Sequence, residues 1–288
     1  MLLTDVLIQG LLLGSVYALF ALGLALMYGV MRLTNIAHGD CLVLAAFAAI
    51  AAMLASGWPA LAAAVLVVGL FFPLGYVLQR ALLNRVLSRD PLPALVVTFG
   101  LSIVIQNVLL AVFTSDPRSI DAGGLNLVAL PLTQDLSIGA LPLLVFAVSL
   151  LATAGLQAMM TRTAIGRAFR AVSDDPEAAQ LTGLDARHVY GLATAIAFML
   201  IAAAGVLQGM RTTVSPADGP SLLLFSFEAV IVGGMGSFWG AWLGAALLGV
   251  AQSVGMYFDP GWGTWFGHLI FLLTLLVRPQ GLLPQTRD

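Results

Sequence analysis

Glu228 is an ionisable side chain inside an apolar run, where such a group is costly and ordinarily faces a cavity or a partner. Two readings stand: a residue of a translocation path, or an acceptor for backbone donors that steadies the break at Gly233-Gly234-Met235-Gly236. Asn35, His38 and Asp40 form a second polar group. It reads either as the lining or gate hinge of a path, or as Asp40 favoured by a helix dipole while Asn35 and His38 satisfy a turn. One histidine and one acid do not make a metal ligand set. Ser237 and His268 carry the side chains of an intramembrane serine protease, but no motif joins them. The basic residues are all arginine, so lysine Schiff-base chemistry and a lysine-bearing phosphate loop are excluded. Cys41, the only cysteine, rules out an intrachain disulfide and a cysteine metal cluster. No catalytic residue, metal or cofactor is expected.

The polar stretch 161–188, TRTAIGRAFRAVSDDPEAAQLTGLDARH, holds four of the twelve arginines and four of the fourteen acids. Asp175 can N-cap a short helix, Pro176 suits its first position, and Gly183 suits the residue after it. Upstream, Ile165, Phe169 and Val172 share one helical face, with Arg167 and Arg170 off it. A long loop has no reason to carry such punctuation unless something docks on it.

The elements that position these groups follow from composition. The chain of 288 residues is 60% apolar and 9% charged, with mean hydropathy +1.01. Soluble domains are about a quarter charged, so the bilayer must serve as solvent. Long, unalternating apolar runs point to helices rather than a barrel. We expect an all-α, polytopic integral membrane protein of one domain, 1–288, with about eight or nine transmembrane helices at about 20 residues each. They fall near 5–31, 39–56, 59–83, 94–113, 139–160, 189–210, 221–236, 238–257 and 262–277, the seventh short enough for a half-span. The N-terminal stretch lacks a basic region and runs apolar to Met31, which predicts a spanning helix rather than a cleaved signal.

If the 161–188 loop is cytoplasmic and all nine segments cross, the N-terminus is outside and the C-terminus inside. Arg32, Arg80, Arg85, Arg89, Arg162, Arg167, Arg170, Arg187, Arg278 and Arg287 are then inside, and Arg118 and Arg211 outside. Asp116, Asp121, Asp135, Asp218 and Asp259 fall outside, and the long outer loop 114–138 is expected to lie along the membrane surface. Met31-Arg32-Leu33-Thr34 and Met210-Arg211-Thr212-Thr213 follow the first and sixth helices on opposite faces, a hint of an inverted repeat. Gly236, Gly240 and Gly244 predict close helix packing. Gln106, Asn107 and Gln208 are expected as interior hydrogen-bonders, and Trp239, Trp242, Trp262 and Trp265 at interfacial belts.

Three stretches carry a family resemblance: GLLLGSVYALFALGLALMYGVMRLTNIAHGD (10–40), GRAFRAVSDDPEAAQLTGLDARHVY (166–190) and FEAVIVGGMGSFWGAWLGAALLG (227–249). In order and spacing the chain resembles the LivH-type permease subunits of branched-chain amino acid ABC importers. The resemblance implies a homologous permease partner, two cytoplasmic ATPases, a periplasmic solute-binding protein and residence in a bacterial inner membrane. No nucleic acid partner is expected. It also implies that Asp174, Asp175, Pro176, Glu177, Ala178, Ala179, Leu181 and Gly183 form the coupling helix that sits in an ATPase groove. Alanines 178 and 179 would permit close approach, and Arg167 and Arg170 would meet ATPase carboxylates or lipid phosphate. The expected solutes are branched-chain amino acids or related small polar molecules. The competing class is an ion-coupled carrier or channel, which has no use for a capped docking helix.

Overall fold

The computed structural model describes residues 3–87, 90–131 and 137–283. Arg89, Asp135 and Arg287 lie outside these residues. Eleven helices follow one another: α1 (Leu3–Met31), α2 (His38–Ser56), α3 (Ala60–Val86), α4 (Leu92–Phe113), α5 (Ala140–Arg162), α6 (Ala164–Asp174), α7 (Pro176–Leu181), α8 (Ala186–Arg211), α9 (Gly219–Gly233), α10 (Phe238–Phe258) and α11 (Gly263–Val277). Among the described residues, eight helical segments are long and apolar enough to cross a membrane, the last counted with the 3-10 turn Pro260–Trp262. The protein is a multi-pass, all-α membrane protein.

The contacts of helices α1 to α4 mirror those of α8 to α11, as an inverted repeat would require. α1 packs against α10 and α8 against α3, while α2 contacts α8 as α1 contacts α9. Each repeat thus embraces the third helix of the other. At the α1–α10 seam the backbones nearly touch, because no Cβ fits at Gly10, Gly14 or Gly249.

Both repeats place a broken crossing second. After α1 the chain reverses at Arg32, held at φ +51°, and returns along the helix it has left. His38 Nε2 meets the Phe20 carbonyl at 2.7 Å, so α2 starts about three turns back from the end of α1. Likewise, residues 212–218 fold back from the end of α8, and α9 starts at Gly219 against Gly39 and Asp40. A Cβ at Gly39 would lie 2.7 Å from the Leu223 amide nitrogen, and one at Gly219 would collide with the Asp40 carboxylate. From this junction α2 runs outward beside Gly205 and Gly209, and α9 runs the opposite way to Gly236 and Gly29. The predicted seventh segment is therefore a helix of 15 residues, about 22 Å, shorter than the eight candidate spans, which runs from the junction with α2 to the turn at Gly236.

One face carries α6, α7 and the end of α1, and is called the docking face below. Connectivity puts Arg32, Arg80, Arg85, Arg162, Arg167, Arg170, Arg187 and Arg278 there, and Arg118 and Arg211 at the far face. On the far face the loop after α4 is pinned over the end of α8: Arg118 and Val214 exchange backbone hydrogen bonds of 3.0 and 2.7 Å, and Ile120 N donates to Gly209 O at 2.8 Å. A small hairpin, β1 (Ala129–Pro131) with β2 (Ser137–Gly139), leads into α5.

Several expected side-chain roles need correction. Gly236 is not on a helix with Gly240 and Gly244; it sits in the α9–α10 turn at φ +87°, and only the latter two pack, against Gly233 and Ala229 of α9. Asn107 is exposed and donates to Ile103 O of its own helix, so it makes no interior contact. Trp242 is partly buried and donates to Ser149 Oγ at 3.1 Å, whereas Trp239, Trp262 and Trp265 are exposed.

Candidate functional site: a docking hairpin and a polar junction

Two places concentrate chemistry. The first is the α6–α7 hairpin. Thr163 caps α6 by accepting from Gly166 N at 3.1 Å, and no Cβ fits at Gly166 against the end of α5. Phe169 and Val172 are buried, and Ser173 Oγ donates to Gly29 O at 2.8 Å, which ties α6 to the last turns of α1. Ile165, expected on the same buried face, is exposed instead. Arg170 turns back to donate to Met160 O, so its guanidinium braces its own loop rather than reaching outward.

At the tip, Asp175 Oδ1 accepts from Glu177 N at 2.9 Å and Ala178 N at 3.0 Å, with Pro176 at the first helical position. The turn closes at Gly183, φ +88°, a left-handed conformation that costs other residues about 1 kcal/mol or more. Asp174, Asp175, Pro176, Glu177, Ala178, Leu181 and Gly183 are exposed, and Leu181 is 91% so. Ala179 departs from the expected contact set: it is buried and faces inward. An apolar side chain offered at a rigid, capped tip is suited to entering a partner's groove. Beside the hairpin, a cavity of about 340 Å³ opens among Gly29, Gln157, Thr161, Arg170, Ser173 and Phe238.

Where α8 begins, Asp185 caps the helix by accepting from Arg187 N at 2.9 Å and pairs with Arg80 at 3.2 Å. Desolvation, the largest single influence, raises its carboxyl, but the Arg80 bond and charge and the amides of Arg187 and His188 together outweigh this and hold it below the usual carboxylate range.

The second place is the junction where α2 and α9 start. Asn35 Oδ1 accepts from Ala37 N at 3.0 Å, and the His38 ring is held by Phe20 O. Both are fully buried, and these bonds hold the fold-back in shape. Asp40 lies in the first turn of α2 and also against the start of α9, so two helix N-termini favour its charge. Gln106 Nε2 of α4 donates to Asp40 Oδ1 at 2.9 Å, and Ser102 joins it.

Glu228 of α9 is bound to His268 Nδ1 of α11 at 2.5 Å. It does not steady the glycine break. That role belongs to the C-terminal segment: Leu282 N and Leu283 N donate to Val232 O and Gly233 O at 2.8 and 2.9 Å. Nothing in the sequence pattern marks this contact. Ser237 caps α10 by accepting from Gly240 N at 3.0 Å, and His268 is engaged by Glu228, so the two are not a catalytic pair. A ladder continues from His268 through Phe225 to Tyr17, with ring centroids 6.2 and 4.8 Å apart, and Tyr17 OH meets Gln252 Oε1 at 2.7 Å.

Residues 6–278 match the family described as branched-chain amino acid transport system / permease component. The chain is similar to the high-affinity branched-chain amino acid transport permease BraD of Pseudomonas aeruginosa, at 31% identity over 96% of this chain and 94% of that one. It is also similar to the permease LivH of Escherichia coli strain K12, at 29% identity over 96% and 93%. A shorter match, 34% identical over 44% of this chain and 30% of the other, links it to the permease LivM of the same strain. No solved structure matches.

Proposed function

The chain belongs to the branched-chain amino acid transport permease family, and from that membership we propose that it is the membrane gate of an ATP-driven importer. Its solutes are branched-chain amino acids or related small polar molecules, and its membrane is a bacterial inner membrane. The docking face is cytoplasmic, which the eight described arginines on that side, against two on the other, support. Two ATPase subunits, a second homologous permease and a periplasmic binding protein complete the assembly.

The observation that carries the reading is the α6–α7 hairpin. It is capped at both ends, exposes Leu181, and is fastened to α1 by Ser173. α1 in turn lies at the centre of the bundle, against α8, α9 and α10. Closure of an ATPase dimer under α7 would therefore push on the helix around which both repeats are built. Cysteine crosslinks from Leu181 test the idea in the assembled importer. Capture of the ATPase subunit is expected, and labelling that never reaches a nucleotide-hydrolysing partner would remove it.

The Glu228–His268 pair is what an ion-coupled carrier would need, and it motivates a control. Uptake driven by an ion gradient in vesicles lacking any ATPase would favour that class instead.

A further inference from the structure

Asp40 and Glu228 are the two buried carboxylates among the described helices, Asp40 in the first turn of its helix and Glu228 beyond the middle of its own. Asp40 is on α2 and Glu228 on its repeat counterpart α9; each is 2% exposed. Each is covered by polar side chains from the last helix of its own repeat: Asp40 by Gln106 and Ser102 of α4, Glu228 by His268 of α11. Gln106 and His268 are only partly buried, and the His268 side chain is 34% exposed. Between them α9 shows Ser221 and Leu224, with Phe225 stacked on His268.

Amide and imidazole groups turned toward hydrocarbon are costly, and polar groups in spans face cavities or partners. Elsewhere the bundle obeys this rule: the outward residues of α3 include Leu61, Val65, Leu70 and Val77, and those of α5 include Leu143 and Leu151. We propose that the face made by α4, α9 and α11 lines the solute route, and that Gln106 and His268 are its polar contacts for the ammonium group of an amino acid. This rests on the importer reading above and deepens it.

The chemistry selects an ammonium. Gln106 uses Nε2 on Asp40, so its carbonyl oxygen is the group left to the surface. In the tautomer that gives Nδ1–H to the Glu228 carboxylate, the opposite His268 nitrogen is an acceptor. Glu228 Oε2 adds a buried acceptor with no partner of its own. Acceptors flank an apolar strip at Leu224 and Phe225 on which a branched side chain can rest. Asp40 and Glu228 act as positioning residues, holding the two contacts in orientation.

The test uses the complete importer in proteoliposomes, with Cys41 left in place because it is buried. Ser221→Cys and Leu224→Cys are treated with a charged methanethiosulfonate, alongside Val65→Cys and Leu151→Cys. The reagent should abolish ATP-driven uptake in the first two, more slowly when isoleucine and ATP are cycling, and leave the other two unchanged. Normal uptake with Ser221→Cys and Leu224→Cys unreactive, or equal reaction at all four sites, would overturn the inference while leaving the importer reading intact. Absence of ATP-driven uptake in the unsubstituted assembly would remove both. His268→Gln should lower uptake several-fold while ATPase stimulation by the loaded binding protein persists; unchanged uptake counts against the contact.

Discussion

Ser173 donates a 2.8 Å hydrogen bond to the carbonyl of Gly29, and this joins the docking hairpin to the central helix of the bundle. The carbonyl lies in the last turn or so of α1, where no intrahelical donor is available to it. The bond therefore fills a vacancy that every helix end leaves, and in the proposed importer it would pass a push on α6 to α1. Gly29 also faces Gly236 in the α9–α10 turn, so motion of α6 reaches both repeats.

Ser173→Ala should loosen this joint without unfolding the protein, since one neutral hydrogen bond is worth about 1 kcal/mol. In the reconstituted importer, solute moved per ATP should fall while ATPase co-purification is retained. Undiminished coupling would show that Phe169 and Val172 suffice.

Leu181→Asp places a charge at a 91% exposed position of α7. ATPase capture on affinity purification should be lost, with normal membrane insertion. Asp175→Ala removes the cap and about 1 kcal/mol of local helix stability, so it should weaken capture less. Equal capture by the Leu181 variant and the parent would place the docking contact elsewhere.

Gly249→Leu inserts a side chain where the α1 and α10 backbones touch. A loss of about 3 kcal/mol or more is expected, read as a fall in detergent-solubilised thermal stability. Gly155→Leu on α5 meets nothing within 4 Å and should be neutral. Similar melting of both variants would contradict the seam.

The carboxyl of Asp185 is held below its unfolded value, so its contribution is complete above the ordinary carboxylate range. That contribution is lost only as pH falls through the lower, folded value. Asp185→Asn should therefore destabilise the start of α8 at neutral pH, with the difference from the parent vanishing in strong acid. The pair with Arg80 is exposed, so the effect should stay under about 1 kcal/mol. Hydrogen exchange of the Arg187 and His188 amides reports it.

The spans and the capped helix were legible because they depend on local signals: apolar run length, Asp175 before Pro176, and Gly183 after Leu181. The MRLT and MRTT echoes mark equivalent points of the two repeats, each ending a helix before a fold-back. What stayed hidden depends on chain segments far apart. Gln106 meets Asp40 across 66 positions, and Leu282 and Leu283 close α9 from the far end of the chain. Ala179 misled because helical phase over six residues does not say which side faces the subunit. Composition marks polar residues in spans as significant but cannot tell a buried anchor such as His38 from a surface contact such as His268.

The seam between α1 and α10 also sets an order of events during synthesis. Among the described spans α1 is the most enclosed, and its most extensive contact is with a segment made more than two hundred residues later. Until that segment arrives, Gly10 and Gly14 present an open notch to lipid or to the insertion machinery. A nascent chain halted before α10 would thus be inserted but unclosed, and exposed to membrane proteases that spare the finished protein.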